Sequence, residues 1–304
     1  MQVFDFAIAV EWEYDYDYLR LIERFAHQQG ISTYVIWPEN LAATLEQLQR
    51  KEIGFAFFYD RASDNSPDFL VLNQFLQQQK TPMLDTWAAL QWAADKALIH
   101  RKFIEVGIEV PCTYIIPPAK KVSRISFIEP ELYRLGTPFV VKPANTHGGG
   151  IGVVRGARTL ADVQEARLTF PDNKYLLQKK IIPREQDGRR FWFRGFYTCG
   201  MVQIAWWNDL NCVFNTFTER DLDAYRLHVL YRIMRQAARV CRLNFFSTEI
   251  AMDRTGKFIA IDYVNEMCDM RLKSRHYDGV PDQVVENIVR QIVAHARRRI
   301  GKAG

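Results

Sequence analysis

Short apolar runs alternate with helical periodicities through the first third of the chain. Residues 4–10 are almost continuously apolar, 18–28 repeat apolar positions at helical spacing, 31–37 are apolar again, 41–49 are helical and 53–59 are strand-like. Parallel neighbours need a crossover, and strands covered on both faces read as unbroken apolar runs. The rhythm therefore predicts a βαβαβ unit, a small parallel sheet with right-handed crossovers, punctuated at Gly30 and Pro38. A further helix over 69–79 precedes Thr81-Pro82 and a segment rich in Trp and Ala that runs into Asp95-Lys96. From about residue 110 the pattern changes. Runs rich in β-branched and aromatic residues at 113–116, 138–142, 151–155, 175–178 and 190–197 predict antiparallel strands joined by few helices. A long helix is expected over 222–243. Two strands, 247–252 and 257–262, then flank the turn Asp253-Arg254-Thr255-Gly256, and a last amphipathic helix begins at Pro281.

Composition narrows the class. With 304 residues, 48% hydrophobic and 25% charged, the chain is an ordinary globular protein, long enough for two or three packed units with a cleft between them. Lys and Arg exceed Asp and Glu by 40 to 35, a net charge of +5, and the one dense basic run, Arg297-Arg298-Arg299, closes a helix where cations complement the dipole. Neither a nucleic-acid nor a membrane partner is expected. The first ten residues lack a basic leader region and run into Glu11, Glu13, Asp15 and Asp17, so they read as a buried strand and not as a signal peptide. Five cysteines with no C-x-x-C pair argue against structural zinc and for a reducing compartment, the cytoplasm.

The residues that carry chemistry lie in the second and last thirds. In Pro138-Phe139-Val140-Val141-Lys142-Pro143-Ala144-Asn145-Thr146-His147-Gly148-Gly149-Gly150-Ile151 a lysine ends one strand, a glycine-rich loop turns and a second strand begins. Glycines allow backbone amides to point at an anion, and the lysine supplies a point charge to phosphate. No helix follows, so neither a Walker loop nor a dinucleotide fingerprint fits. The hairpin 247–262 places two acids in an apolar sheet. If Met252 pairs with Lys257, Glu249 faces Ala260 and Asp262 lies diagonally, its backbone about 7–8 Å away. Two inward carboxylates among Ile, Ala and Phe are costly unless cations neutralise them, and Mg²⁺ with nucleotide phosphates is the hard-cation solution.

Taken in order, Asp95-Lys96, the Lys142 glycine loop, Tyr175-Leu176-Leu177-Gln178-Lys179-Lys180-Ile181, Arg190 and Glu249…Asp262-Tyr263-Val264-Asn265 resemble the ATP-grasp superfamily, which includes D-alanine:D-alanine ligase, glutathione synthetase and peptide-tail glutamate ligases. The resemblance covers about residues 95 to 270. It implies an α/β and α+β chain with the ATP-grasp fold: a small parallel-sheet domain (1–94), a central subdomain with the glycine-rich loop (95–180) and a C-terminal subdomain with the metal-binding hairpin (181–304), the last two clamping ATP. By the resemblance, Lys96 and Lys142 contact phosphate beneath the loop His147, Gly148, Gly149 and Gly150. Gln178, Lys179 and Ile181 meet the adenine edge, Glu249, Asp262 and Asn265 bind Mg²⁺ (or Mn²⁺), and Arg190 lies near phosphate or substrate. The pattern departs from the family in three places, one being that the Ser/Thr-Pro-Gly following the asparagine in many peptide-forming ligases is replaced by Glu266-Met267-Cys268-Asp269-Met270-Arg271. Glu-x-Asn is replaced by the longer Asp262-Tyr263-Val264-Asn265, and the arginine two residues before the first acid is Ser247. Arg271 and Arg275, which follow directly, are therefore candidates for recognising an anionic substrate.

The activity implied is ATP-dependent ligation of a carboxylate to an amine or thiol through an acyl phosphate, with ATP and a small anionic carboxylate or peptide-like substrate as ligands. A small-molecule kinase and a non-catalytic ATP-binding regulator use the same parts, and a homo-oligomer is compatible with either. Cys268, with no histidine near it in sequence, reads as packing, and His100 as a structural residue of a helix.

Overall fold

The computed structural model describes residues 1–126, 129–146 and 150–301. The first unit is the expected βαβαβ: β1 (Gln2–Val10), α1 (Tyr16–Gln28), β2 (Thr33–Ile36), α2 (Pro38–Gln49) and β3 (Ile53–Arg61), followed by α3 (Pro67–Gln78). The sheet is parallel in the order β2-β1-β3. Its alternate residues face two cores. Ala7, Ala9 and Phe58 pack with α2 and α3, whereas Phe6, Ile8, Phe57 and Tyr59 pack with α1. That is why the strands read as continuous apolar runs.

After α4 (Trp87–Ala94) and α5 (Lys96–Glu105) come β4 (Thr113–Ile116), α6 (Glu129–Leu135), β5 (Phe139–Pro143), β6 (Val154–Ala157), α7 (Leu160–Ala166) and β7 (Tyr175–Lys179). These strands form an antiparallel sheet in the order β4-β7-β5-β6. The second strand of the glycine hairpin starts at Val154, three residues later than expected, because Gly150 and Gly152 both adopt left-handed φ and keep the chain turning.

The last unit begins with the two-residue strands β8 (Glu185–Gln186) and β9 (Arg189–Arg190). It continues through β10 (Trp192–Thr198), β11 (Met201–Asn208), β12 (Val213–Asn215), α8 (Glu219–Ala224), α9 (Val229–Cys241), β13 (Phe245–Met252) and β14 (Phe258–Asn265) to α10 (Asp282–Ile300). The main sheet is antiparallel, β12-β11-β10-β13-β14. The single long helix expected over 222–243 is two helices, broken at Arg226, which sits at φ 54. The first of them starts early because Thr218 and Asp221 form a capping box. One face of this sheet, Phe191, Phe193, Ile204, Trp206 and Ile250, packs on α9. Gly195 permits the close approach, since a Cβ there would meet Met234 Sδ at 2.5 Å.

The opposite face is divided. At one end Phe196, Ala205, Phe214 and Phe245 are covered by α10, which also packs on α1 and the first sheet. At the other end the face carries Arg194 and Glu249, in register across β10 and β13. A buried ion pair within the first unit also reaches the last through its arginine. Arg61 at the end of β3 donates two hydrogen bonds of 2.7 Å to Asp15 and a third, 3.0 Å, to the Cys268 carbonyl, with both side chains under 5% exposed. Among the described residues no helix is long and apolar enough to cross a membrane.

Breaking a buried ion pair leaves one charge without compensation, whereas removing both partners does not. Arg61→Met should lower unfolding stability by about 3–5 kcal/mol in urea titrations. Arg61→Met combined with Asp15→Leu should recover a large part of that loss, and a double variant weaker than the single would contradict the assignment.

Candidate functional site

The site lies where β5 and β7 face the β13–β14 hairpin. The hairpin register differs from the expectation. Met252 pairs with Phe258 instead of Lys257, Ile250 pairs with Ala260, and Glu249 pairs with Asp262. Ile261 is thus an extra residue on β14, a bulge, and a second irregularity lies between Ser247 and Glu249. The two acids are consequently direct cross-strand partners and not diagonal ones. The bulged Ile261 carbonyl accepts a 2.9 Å hydrogen bond from Lys142 Nζ, which draws the lysine across from β5 to within 4.0 Å of Asp262.

Two neighbouring carboxylates repel one another, and cations answer them from several elements. Arg194 Nη1 donates to Glu249 Oε1 at 2.6 Å, and the Trp192 indole donates to Oε2 at 3.1 Å. With its amide oriented to satisfy both neighbours, Asn265 accepts from Arg194 Nη2 at 3.1 Å and donates to the Met267 carbonyl at 2.9 Å. One guanidinium therefore holds two members of the acid–acid–amide set. Burial acts to raise the Asp262 carboxyl, but Lys96, Lys142, Arg194 and Arg155 outweigh it and hold it below its ordinary range. Glu249 moves the other way, pushed up by burial and by Asp262 against the pull of Arg194. Lys142 is 6% exposed, and burial together with Lys96 and Arg155 lowers it to about 8 despite the two acids.

Lys96 is aimed by the start of its helix. Asp95 caps α5 by accepting from the Ala97 and Leu98 amides, the Lys96 amide donates to the Ala144 carbonyl, and Lys96 Nζ donates to the Thr146 carbonyl at 3.0 Å. The ammonium thus stands at the entry of the glycine-rich loop. His147, Gly148 and Gly149 lie outside the described residues, while Gly150 closes the loop at φ 70.

Below Lys142 is a buried polar cluster. The Tyr263 hydroxyl lies 2.6 Å from Gln178 Nε2 and 2.6 Å from His100 Nδ1, and its ring lies under the Lys142 ammonium at 5.1 Å. Gln178 also donates to Thr113 at 3.2 Å. Burial, with Lys142 and Arg101 nearby, lowers His100 to about 4, so the neutral ring can accept from the tyrosine hydroxyl. Gln178 thus faces the site with its amide nitrogen already engaged. Lys179 is exposed and tied by its backbone amide to the Cys112 carbonyl, and Ile181 is half-buried in the connection that follows β7.

The structure gathers Lys96, Lys142, Gln178, Glu249, Asp262 and Asn265, but not the three arginines expected to act on substrate. Arg190 is held by Asp209 at 2.9 Å and by Glu185. Arg271 is clamped by Asp269 at 2.7 Å and Asp278 at 3.0 Å. Arg275 is exposed in a turn closed on Leu272. The arginine that does reach the acids is Arg194, four residues beyond Arg190, and Arg155 joins it electrostatically from β6. Arg194 had a visible signal, a lone charge inside Phe191-Trp192-Phe193-Arg194-Gly195-Phe196, which is tolerable in a buried strand only opposite an acid.

No protein-family model and no curated protein sequence matches the chain. Solved structures do. D-alanine–D-alanine ligase from Bacillus anthracis complexed with ATP superposes with a TM-score of 0.67 at 13% identity, covering 100% of both chains. A RimK domain protein ATP-grasp from Sphaerobacter thermophilus gives 0.63 at 17% identity over 95% of this chain and 99% of the other. The macrocyclase MdnC from Microcystis aeruginosa, bound with its precursor peptide MdnA, gives 0.62 at 11% identity over 95% and 99%. The chain has the ATP-grasp fold.

Two measurements probe the polar cluster. Tyr263→Phe leaves Gln178 and His100 without their shared partner, which should cost about 1–3 kcal/mol of stability by chemical denaturation. His100, folded at about 4 against 6.5 unfolded, binds fewer protons when native. Its contribution is therefore complete above pH 6.5 and is lost as pH falls from 6.5 through 4. His100→Asn should flatten the stability profile in that window, and an unchanged slope would rule out the neutral buried ring.

Proposed function

We propose that the protein is an ATP-dependent ligase that joins a carboxylate to an amine or thiol with release of ADP and phosphate. The observation that carries the reading is the pair Glu249 and Asp262, opposite each other in a bulged hairpin and ringed by Lys96, Lys142, Arg155 and Arg194. Such a ring suits a ligand that brings both divalent cations and a polyphosphate, since the acids take the metal and the lysines and arginines take the phosphate oxygens. The fold it shares with an ATP-bound ligase supports the same assignment.

The donor set fits Mg²⁺ or Mn²⁺. Two carboxylates and the Asn265 amide oxygen are hard oxygen ligands, too few to enclose the ion, so phosphate oxygens and water complete the shell. When bound, the metal would neutralise charge on the β- and γ-phosphates. Arg194 holds Glu249 and Asn265 in place for it, and Lys142, fixed by the Ile261 carbonyl, and Lys96, fixed at the loop entry, stand ready for phosphate.

In this reading ATP lies between the sheet of β5 and β7 and the β13–β14 hairpin, that is between units 95–180 and 181–304, with unit 1–94 contributing to the substrate side. A carboxylate oxygen of the donor attacks the γ-phosphorus, and the bond to the β–γ bridging oxygen breaks, its electron pair leaving with ADP. The acceptor nitrogen or sulfur then attacks the acyl carbon, phosphate departs, and the acceptor loses its proton. The chain's part is positioning and charge neutralisation, which is most of what phosphoryl transfer asks of a protein. The donor is a small anionic carboxylate or a peptide-like acid.

Mg-ATP should raise the melting temperature of the wild type, since a ligand that binds only the native state stabilises it. Lys142→Ala should lose most of that shift, whereas Asp262→Asn should keep part of it and lose turnover. With hydroxylamine as a general acceptor, ATP and candidate carboxylic acids should yield hydroxamates and free phosphate. A stable phosphorylated product instead would point to a kinase, and no Mg-ATP shift at all would remove the nucleotide site.

A further inference from the structure

Helices α4, α5 and α9 form one layer on the face of the last sheet that carries Phe193 and Ile250. The charges of this layer are one-sided. Arg232, Arg235, Arg239 and Arg242, at spacings of three, four and three along α9 and its C-cap, are all exposed and share one stripe about 15 Å long. Residues 224–248 contain no Asp or Glu, and α4 contains none either. The one acid within the three helices is Glu105, which Lys102 of the same helix already holds at 2.7 Å. Among the described residues none of the four arginines makes an ion pair. The overall charge of +5 conceals this face, because the acids that nearly balance the chain lie elsewhere.

Helix capping does not account for the stripe. Cations suit a helix C-terminus, which covers Arg239 and Arg242, but Arg232 closes the first turn, where the dipole opposes it. Like charges three or four apart on a helix also repel one another, so the stripe weakens α9 until something negative covers it. The inner face of the helix is already engaged, with Leu230, Ile233, Met234, Ala237 and Cys241 buried. What remains for a partner is the row of cations, together with Ile104 of the neighbouring α5, which is 56% exposed.

A surface ion pair between single side chains contributes little in water, so isolated acids on a folded protein are weak partners for such a stripe. A continuous anionic surface gains from every arginine at once. A nucleic-acid duplex fits poorly, since α9 lies in a layer with α5 beside it and does not project into a major groove about 12 Å wide. A leaflet rich in anionic lipid asks only for a broad cationic face, and an exposed aliphatic side chain beside the cations adds burial at its surface. We propose that the outer face of the α4, α5 and α9 layer docks on an anionic membrane surface, with the arginine stripe of α9 toward the lipid headgroups. Arg194 and Glu249 lie on the opposite face of the sheet, so the docked protein keeps its acid site open to solution. The proposal is independent of the ligase reading.

The intact protein is sedimented with vesicles of phosphatidylcholine alone and with vesicles of phosphatidylcholine mixed with phosphatidylserine. It should bind the second and not the first, and added salt should weaken the binding because the charges are exposed. Arg235→Gln with Arg239→Gln should weaken it about fivefold per arginine, and Ile104→Ser should weaken it further. Arg297→Gln with Arg298→Gln removes the same charge from the last turn of α10 and should leave binding unchanged, which separates this face from net charge. Every substituted side chain is exposed, so each variant should keep the wild-type melting temperature and its shift with Mg-ATP. Absence of that shift from the wild type would count against the ligase reading alone. The proposal is overturned if mixed vesicles do not bind the wild type or if the α9 and α10 variants weaken binding equally. It is also overturned if a single-stranded oligonucleotide or polyglutamate binds through the same arginines at a salt concentration where vesicles do not, which would make the face a nucleic-acid or protein contact.

Discussion

Two carboxylates set side by side in an apolar sheet are the constraint around which the site is built. Glu249 and Asp262 occupy directly paired positions, so neither can move away from the other without breaking the ladder. Their repulsion has to be met by cations brought from elsewhere. Lys96 comes from the start of a helix, Lys142 and Arg155 from the two strands of the glycine hairpin, and Arg194 from the neighbouring strand. Four secondary-structure elements besides the hairpin itself are oriented by that single electrostatic demand.

The bulge at Ile261 makes the arrangement possible. It advances Asp262 by one position to face Glu249, and it turns one carbonyl out of the ladder to where Lys142 can reach it. The same step places Tyr263 on the opposite side of the strand, where its hydroxyl ties Gln178 to His100 and its ring supports the lysine from below. The four-residue spacing of Asp262-Tyr263-Val264-Asn265, which departs from the shorter family pattern, has a counterpart in the structure. Ser247 pairs with Asn265 across a second irregularity, and the amide still arrives beside Arg194.

Much of this was legible in the sequence. Apolar runs buried on both faces announce β1 and β3, and a lysine followed by glycines announces the hairpin of β5 and β6. Two acids among Ile and Ala stand out because burying them is expensive. What escaped depends on register and on long-range pairing. Neither the turn, which holds Lys257 as well as residues 253–256, nor the bulge beyond it leaves a local mark, and together they carry Glu249 from the expected Ala260 to Asp262. Nothing local marks Arg190 and Arg271 as already paired, whereas the apolar run around Arg194 does mark it as needing an acid. Only tertiary structure shows that Asp209 and Glu185 take the first and Asp269 and Asp278 the second, while Arg194 alone lies opposite an acid. The helix break at Arg226 escaped for a related reason, since nothing in the local apolar spacing forbids a continuous helix.

The packing of α10 bears on how the chain reaches this structure. One face of the first parallel sheet, with Phe6, Ile8 and Phe57, shares its core with Val285, Ile288, Val289, Ile292 and Val293 of a helix more than two hundred residues downstream. During synthesis that face emerges long before the helix that covers it. The N-terminal sheet can form its hydrogen bonds and cover part of this face with α1 early, yet the part that α10 completes has to wait, exposed or loosely screened, until α10 has left the ribosome. The nascent chain thus has a prolonged window of aggregation risk and of affinity for chaperones, and the docking of α10 on α1 is the late event that closes it.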